Sequence, residues 1–233
     1  MRSTEKKQQR PKKYRRVHNR CVSVKRLELG MASRAHSELV GGRLAVDFAN
    51  LGRVFSGGIP RPLTWTALVT FLVAAKVVSP ERGAKLLSIQ QTDADAADAL
   101  LATARRLQNE LRSAFSAVVA GSRVTRESVE SINDILKITE GHDELVLEGG
   151  QCRLEFVARE DSLEWLLAAI ARSAAEILAA GGSARLRSCA NPMCGLFFCD
   201  VSRTHKRRWC SMATCGNRHK VAAFARRHSS RRA

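Results

Sequence analysis

The chain has 233 residues, 45% of them apolar, and a formal net charge of +17. This apolar fraction is normal for a folded protein and argues against a chain that is disordered throughout, while the length suffices for one ordinary domain and a small module. The longest apolar stretches, such as residues 166–171, are far shorter than the roughly 20 residues that cross a bilayer, so we expect no transmembrane helix and no membrane partner.

The two ends of the chain are far more basic than its middle. Residues 1–30 hold eleven Lys and Arg against two Glu, a net charge of +9, and residues 183–233 hold twelve against one Asp, a net charge of +11. The residues between them carry sixteen basic and nineteen acidic side chains, a net charge of −3. Basic segments of this kind favour polyanionic partners such as nucleic acid.

Residues 1–35 are predicted to form a basic disordered arm, because their first twenty residues are almost devoid of apolar side chains. Two explanations have equal weight: either Met31 is the true start of the chain, or the arm binds nucleic acid. The first basic residues are not followed by the apolar segment of a secretory signal, so the expected compartment is the cytoplasm, in association with the chromosome if the protein binds DNA.

The segment from residue 39 to residue 92 predicts a hairpin and two helices. Residues 39–51, LVGGRLAVDFANL, suggest two short strands around Gly41-Gly42, a glycine pair that turns at little steric cost. Thr64 precedes apolar residues at helical spacing. Ser79-Pro80 then supplies an N-cap and a first-turn proline for a second helix.

Two longer helices and a second hairpin follow. One helix is predicted to begin after Thr92 and to end at Gly121, and Thr125 opens another. Residues 144–157 predict two strands joined by a turn at Gly149-Gly150.

The last helix of this region is predicted to begin with a capping box of Asp161 and Glu164 and to end at Gly181-Gly182. The composition also changes at those glycines, so we place a domain boundary there. The predicted fold class is α+β, a mostly helical domain with two small β-hairpins followed by a small C-terminal module. The predicted order is the arm (1–35), the helical domain (36–182), the module (183–228) and a basic tail (229–233).

The cysteines indicate a metal site. Their number, seven, is odd, which argues against a closed disulfide framework in a reducing compartment. Four of them form two close pairs, Cys189-x4-Cys194 and Cys210-x4-Cys215, with fifteen residues between the pairs. Zinc takes four soft ligands in a tetrahedron, and each pair can reach one ion from a single turn. We therefore predict one structural Zn²⁺ bound by these four cysteines.

The residues around the pairs predict a treble-clef-like finger. Asn191-Pro192 favours a tight turn between the first two ligands, and residues 196–198 are strand-forming. Trp209 directly precedes the second pair, and residues 221–224 suggest a helix that begins near Cys215. A knuckle followed by a helix whose first turn donates a ligand has that topology.

Other side chains compete for the metal. Cys199 lies close to the first pair, but the two symmetrical pairs complete the ligand set and leave it on the predicted strand. A set in which His205 or His219 replaces a cysteine is weighed at about one to four against the all-cysteine site. Cys21 and Cys152 have no close partner and are expected to be ordinary thiols.

Two explanations compete for the basic side chains of the module. Four thiolates leave a zinc site with a formal charge of about −2, which nearby cations would offset. The cations outnumber that need, which favours phosphate binding by about two to one. The predicted nucleic-acid contacts are Arg203, Lys206, Arg207, Arg208, Asn217, Arg218, Lys220, Arg226 and Arg227. Asp200, the only acidic residue of the module, is expected to pair with Arg218 or Arg208.

Two segments resemble known families. The run Cys215-Gly216-Asn217-Arg218, preceded by RWCSM at residues 208–212, resembles the CGNR zinc finger. Residues 44–50, LAVDFAN, resemble the start of the ABATE domain, which accompanies that finger in stress-induced bacterial transcription regulators. Together the resemblances cover residues 36–227. They imply the same four metal ligands, a typically apolar position at Cys199, a finger that binds DNA and a larger domain that senses a signal.

Three functions are consistent with these features. The first is a DNA-binding transcription regulator, in which Asn217, Arg218 or Arg226 contacts base edges. The second is an RNA- or ribosome-associated zinc protein, and the third is a thiol switch in which oxidation releases the zinc. A small-molecule effector and a homodimer are compatible with each of them.

An enzyme is the least favoured class. Asp47 and Asn50 beside Trp65 suggest a pocket, but a polar pair of this kind is favoured as a turn or cap by about three to one. Four cysteines also leave zinc no open coordination position, which a catalytic zinc requires.

Overall fold

The computed structural model describes residues 39–53, 59–138, 141–148, 151–158 and 163–229. The predictions for the arm (1–35), Cys21, the Gly149-Gly150 turn, Asp161 and the last four residues of the tail therefore lie outside the described residues.

The first element is a helix, α1 (Leu44–Asn50), where the sequence predicts a hairpin. The hairpin prediction is wrong. Four of the seven residues of α1 (Ala45, Val46, Phe48 and Ala49) are fully buried, so the helix has no polar face that reveals its period. A short apolar run without such a face fits a buried helix as well as a strand.

Two helices follow as predicted, α2 (Trp65–Ala74) and α3 (Pro80–Thr92). The predicted N-cap Ser79 is confirmed, because its hydroxyl accepts a hydrogen bond from Arg82 N at 3.2 Å, and the hydroxyl of Thr64 caps α2 in the same way. The two helices approach each other closely at Gly83, where a Cβ would lie 2.4 Å from Val73 Cγ2. A side chain at Gly83 would therefore push α2 and α3 apart.

The next helices are α4 (Ala94–Val119) and α5 (Arg126–Ile138), as predicted. Asp93 caps α4 by accepting a hydrogen bond from Ala96 N at 3.1 Å. One face of α4 is buried along its length, which makes it the main wall of the core; its buried residues are Ala97, Leu100, Leu101, Ala104, Leu107, Leu111, Ala114 and Phe115.

The second predicted hairpin is confirmed. Strand β1 (Gly141–Glu148) pairs antiparallel with β2 (Gln151–Ala158), in a register that places Leu145 opposite Leu154. Helix α6 (Trp165–Ala180) follows and ends at Gly181, whose φ is 53°. Its N-cap is Glu164, which makes no side-chain capping bond, and the predicted capping box involves Asp161, which lies outside the described residues.

The core of the helical domain lies around α1. This short helix packs against α4 and α6, while α5 packs against both of these longer helices. The C-terminal region adds the antiparallel strands β3 (Leu186–Ser188) and β4 (Phe197–Cys199) and a final helix, α7 (Asn217–Ser229). Strand β4 packs directly on α1.

The predicted fold class is confirmed: the described chain is mostly helical, with small antiparallel strand pairs and a four-cysteine module at its C-terminal end. The second strand pair, β3 with β4, belongs to that module and not to residues 39–51. Among the described helices, none combines the length and the apolar character that a membrane span needs.

Candidate metal centre

The first two ligand positions lie on a tight turn between β3 and β4. Cys189 follows β3, and its N–H donates to Leu196 O at 2.8 Å. Within the turn, Cys194 N donates to Asn191 O at 2.9 Å. Gly195 then takes a positive φ of 63°, which turns the chain into β4. The predicted turn and the predicted strand after it are both confirmed.

The second pair approaches from the other side. Cys210 N lies 3.4 Å from Cys189 Sγ, so the two halves of the site are in direct contact. Cys215 lies in a single π-helical turn (Met212–Gly216) that leads into α7. Gly216 lies beneath Met212, since a Cβ there would be 2.7 Å from the methionine sulfur.

The four sulfur atoms form one cluster. All four Sγ atoms of Cys189, Cys194, Cys210 and Cys215 lie within 4.8 Å of one another, and all four residues are buried. Cys210 Sγ lies 3.5 Å from Cys194 Sγ and 3.7 Å from Cys215 Sγ. Zn–S bonds of about 2.3 Å give a tetrahedron with edges of about 3.8 Å, whereas a disulfide needs about 2.05 Å. The residues fit one zinc ion, and the prediction of a single four-cysteine zinc site is confirmed.

The electrostatics of the cluster favour a bound cation. Hydrogen bonds with Cys194 and Cys210 lower the pKa of Cys189 to about 2. The same shared bonds raise the pKa of Cys194 to about 12 and also raise the pKa of Cys210. One thiolate thus suppresses ionisation of its neighbours. A divalent ion reverses this effect, because it attracts all four thiolates at once.

Asn191 supports the site in a way that the sequence did not reveal. Its Oδ1 accepts a hydrogen bond from Met193 N at 3.1 Å, which fixes the turn. Its Nδ2 donates to Cys215 Sγ at 3.4 Å and so links the knuckle to the ligand before α7. Such donors orient a ligand and lower the charge on its sulfur. The Asn-Pro pair signalled the turn, but the contact with sulfur depends on the fold.

The competing ligands are placed elsewhere. Cys199 is buried in the core of the helical domain, where burial raises the pKa of its thiol to about 11. His219 stacks against Trp209 with ring centroids 4.7 Å apart, and His205 contacts the Arg185 side chain. Cys152 is exposed on β2. None of these four belongs to the described four-sulfur cluster.

Asp200 has different partners from those predicted. Its carboxylate accepts hydrogen bonds from Ser202 N and Oγ at 3.1 and 2.6 Å and from Arg207 N at 3.0 Å. Its ion pair is with Arg187 at 3.4 Å, not with Arg218 or Arg208. Burial raises the pKa of Asp200, but these bonds and the charge of Arg187 outweigh burial and hold the pKa below its usual value. Asp200 organises the loop that leads to the second cysteine pair.

Arg207, one of the predicted phosphate contacts, also makes structural contacts within the protein. Its Nε donates to Trp209 O at 2.9 Å, and its Nη2 donates to Val40 O at 3.1 Å and also to Cys210 O. Its guanidinium lies over the ring of Phe198, 4.4 Å from the centroid. A half-buried side chain held by these contacts joins the metal centre to the segment before α1.

The other predicted nucleic-acid contacts lie on the surface in two groups. The loop before the second cysteine pair carries Arg203, Lys206 and Arg208, which are all exposed. Helix α7 carries the exposed side chains of Asn217, Arg218, Lys220, Arg226 and Arg227. The fold therefore brings five of the nine predicted residues onto one helix.

Strand β4 belongs to two cores at once. Phe197 and Cys199 are buried in the core of the helical domain, together with Leu186 of β3. Phe198, between them, is buried with the four ligand cysteines and Leu196. Because side chains alternate across a strand, three residues suffice to join the zinc centre to the domain.

Backbone contacts reinforce this junction. Asn50 Nδ2 donates to Phe197 O at 2.8 Å, and Asn50 Oδ1 accepts from Phe197 N at 2.9 Å. Cys199 N donates to Gly41 O at 2.8 Å, and Gly41 N donates in turn to Asp47 Oδ1 at 2.7 Å. Asp47 and Asn50, the pair considered for a pocket, thus hold β4 against α1.

Two family models match the chain. Residues 185–228 match the CGNR zinc finger. Residues 42–181, more than half of the chain, match the ABATE family, described as "Putative stress-induced transcription regulator". The chain belongs to the ABATE family. No curated protein matches it.

The two matches divide this ABATE protein at the point where its composition changes. The ABATE match spans α1 to α6, and the CGNR match contains β3, β4, α7 and all four metal ligands. The resemblances noted in the sequence are confirmed. The buried strand β4 lies within the CGNR match, although two of its three side chains, Phe197 and Cys199, complete the ABATE core.

Proposed function

We propose that this ABATE protein is a transcription regulator that binds duplex DNA through its zinc finger, with α7 in the major groove. The observation that carries the proposal is the exposure of α7: of its residues 217–228, all but Ala223 have exposed side chains. This helix packs on the π-helical turn before it, and His219 stacks on Trp209.

The charge of this surface favours a polyanion. No Asp or Glu occurs after Asp200, while α7 alone carries Arg218, Lys220, Arg226 and Arg227. Two of the donors to the cysteine sulfurs, Asn191 Nδ2 and Cys210 N, are uncharged. A cationic helix of this kind would contribute the salt-dependent part of DNA affinity through phosphate contacts.

The outer face of α7 also suits base recognition. Asn217, Val221 and Ala225 are spaced four residues apart and line one shallow groove together with Arg218. Asn pairs with the major-groove edge of adenine, Arg pairs with guanine, and small apolar side chains contact the thymine methyl group. Val221 is 69% exposed, so its methyl groups can reach such a partner.

A second copy of the chain fits this face less well. Two α7 helices packed through Val221 would bring their flanking cations together, and like charges at close range oppose association. The ABATE description, which names a transcription regulator, supports DNA over a protein partner.

The proposal is tested by binding of zinc-loaded protein to a randomised pool of DNA duplexes, followed by affinity measurements on the enriched sequence. Lys220→Gln is expected to weaken binding several-fold for every duplex. It should also reduce the slope of the logarithm of the binding constant against the logarithm of the salt concentration by about 1, in absolute value. Asn217→Ala should instead change the preferred sequence. Lys85→Gln, an exposed lysine of α3, serves as the matched control and should bind like the wild type.

A competition experiment separates DNA from RNA. Unlabelled duplex RNA of the same sequence and length is added to the protein–DNA complex, because the deep, narrow major groove of duplex RNA does not admit α7 as that of DNA does. Displacement by RNA at lower concentration than by DNA would assign the finger to RNA. Failure to retain any duplex at low salt would refute the proposal.

A further inference from the structure

A cleft in the helical domain has a composition that the zinc finger does not explain. It lies between the segment after α1 and one face of α4, and its volume is about 340 Å³. Its lining residues are Leu51, Arg53, Pro60, Arg61, Pro62, Leu63, Arg105, Gln108, Asn109 and Arg112. The cleft thus combines four arginines and two amides with a few apolar side chains.

The positive charge of the cleft contrasts with the net negative charge of the domain that surrounds it. Residues 31–182 carry more acidic than basic side chains, yet none of the residues that line the cleft is acidic. The sequence has no Asp or Glu between Asp47 and Glu81, the stretch that supplies Arg53 and Arg61. Among the described residues, none of the four arginines forms an ion pair.

Neutral hydrogen bonds hold several of these side chains in place. Arg105 Nε donates to Leu63 O at 2.9 Å, and Arg112 Nη1 donates to Ala49 O at 2.9 Å. Gln108 Nε2 donates to Phe48 O and Leu51 O at the end of α1. Carbonyl oxygens fix the orientation of a guanidinium but do not neutralise its charge, so the arginines are positioned while their charge stays uncompensated.

The electrostatic strain is greatest at Arg112. Burial and, to a smaller extent, the charge of Arg53 together lower the pKa of Arg112 to about 10. Two guanidinium groups placed together in a half-buried cleft repel each other. An anion between them would relieve that repulsion and supply the acceptors that planar guanidinium groups prefer.

We propose that this cleft binds a small organic anion, whose phosphate or carboxylate group lies among Arg53, Arg61 and Arg112. The apolar part of the ligand would contact Leu51 and Leu63, which line the same cleft. A volume of about 340 Å³ lies at the small end of the range for small-molecule sites, so a ligand the size of a monosaccharide phosphate or an aromatic acid fits and a polymer does not.

The site borders the zinc finger. Arg112 Nη2 lies 3.4 Å from Gly195 O, and the Arg112 guanidinium lies 5.2 Å from the centroid of the Phe197 ring. Arg53 Nη1 is the nearest neighbour of a Cβ placed on Gly195, at 3.3 Å. Gly195 directly follows the ligand Cys194. An anion bound to these arginines therefore acts on the turn that leads from the metal centre into β4.

Titration calorimetry on the zinc-loaded full chain tests the site with phenyl phosphate and benzoate as probes and inorganic phosphate and phenol as references. The two organic anions distinguish phosphate from carboxylate recognition, and phenol lacks the charge. We expect one organic anion to bind per chain and phenol not to bind. Arg53→Gln and Arg61→Gln should each weaken binding about tenfold or more, because each removes charge-assisted hydrogen bonds.

Two control variants keep the result interpretable. Arg106→Gln removes an exposed cation from the same helix outside the cleft and should bind the anion like the wild type. The double variant Arg218→Gln with Lys220→Gln removes two cations from the finger and should also bind the anion like the wild type. The proposal is overturned if no organic anion binds, if the cleft variants bind like the wild type, or if only the finger variant loses binding. Because DNA binding is not measured here, failure of the cleft leaves the proposed function of the finger unaffected.

Discussion

Strand β4 and helix α7 flank the same zinc centre, but the structure uses them in opposite ways. All three residues of β4 are buried, at 5% exposure or less, whereas Val221 and Phe224 on α7 are more than half exposed. The strand fastens the finger to the helical domain, and the helix presents a basic surface to a partner. One small module therefore has an inner, structural side and an outer side suited to binding.

The comparison shows that positive charge alone does not identify a binding surface. Arg207 and Lys220 lie in the same basic module and were assigned the same role from the sequence. In the structure, Arg207 is held by backbone carbonyls and the ring of Phe198 on the inner side, whereas Lys220 is exposed on the outer helix. The difference is one of hydrogen-bond partners and not of charge.

The largest expected effect comes from removing the zinc. Cys210→Ser should abolish stoichiometric zinc binding and lower the free energy of unfolding by at least about 5 kcal/mol, because metal binding contributes directly to folding. Since β4 connects the two cores, melting of the helical domain should shift as well. Zinc content by mass spectrometry and thermal unfolding by circular dichroism measure both effects.

Cys199→Ala is the matched control, because Cys199 is a buried cysteine that is not a ligand. It should retain one zinc per chain. If Cys210→Ser left the melting of the helical domain unchanged, the finger and the domain would be independent and the inner side of the finger would not be structural.

The next largest effect is expected at Asn50. Asn50→Ala leaves the N–H and the carbonyl of Phe197 without their buried partners, which should cost about 3 kcal/mol of stability. Denaturant unfolding of the zinc-loaded protein measures this change. Asn133→Ala, an exposed asparagine of α5, should change stability by less than about 0.5 kcal/mol. Equal effects of the two variants would contradict the role of Asn50 at the junction.

Asp47 should make the junction sensitive to pH. Burial raises the pKa of this carboxyl to about 7, so the folded chain keeps a proton that the unfolded chain releases near 3.8. The stability contributed by this proton is present at low pH and is lost as the pH rises to about 7, by at most about 1.4 kcal/mol per pH unit.

Asp47→Asn replaces the titrating carboxyl by a neutral amide and keeps an oxygen that can accept a hydrogen bond from Gly41 N. Relative to the wild type, the variant should gain stability between pH 5 and pH 7, by at most about 2.7 kcal/mol. Denaturant unfolding of both proteins across this range measures the difference, in which the pH dependence of zinc binding cancels. Parallel profiles would show that Asp47 is already ionised in the folded chain.

The smallest effects separate the two sides of the finger directly. Arg207→Gln should lower stability by about 2 kcal/mol through lost hydrogen bonds of a charged donor, with DNA affinity reduced only as far as folding is. Lys220→Gln should leave stability unchanged and weaken DNA binding. Unfolding and DNA-binding measurements on both variants form the experiment. Weaker DNA binding by the folded Arg207→Gln protein, or a loss of stability in Lys220→Gln as large as that in Arg207→Gln, would remove the distinction between the inner and outer sides.

Local signals in the sequence were reliable. The capping hydroxyl of Ser79 and the spacing within each cysteine pair concern contacts between residues a few positions apart, and the structure confirms both. Helix α1 was mispredicted for a local reason as well. A helix that is buried on nearly all sides has no polar face, and its period is then hidden.

The missing part of the prediction lies in long-range contacts. Asn50 and Phe197 are separated by 147 positions, and Val40 and Arg207 by 167. Nothing in a single sequence shows which distant backbone groups a polar side chain will satisfy. Asn50 offered the one usable signal, since an amide at the end of an apolar run is expected to be buried and must then find partners. The sequence likewise does not show which arginine lies near Asp200, and in the structure it is Arg187 and not Arg218.

The double burial of β4 bears on how such proteins can be recombined. The border between the two family matches looks like a natural point for exchanging fingers among proteins. A finger fragment cut there, however, would expose Leu186, Phe197 and Cys199 to solvent. The remaining domain would lose the Phe197 ring that packs on Phe115 and the strand whose backbone is hydrogen-bonded to Asn50. A finger can therefore be exchanged only together with a matching surface on α1 and α4, and the two parts are expected to be inherited as a pair.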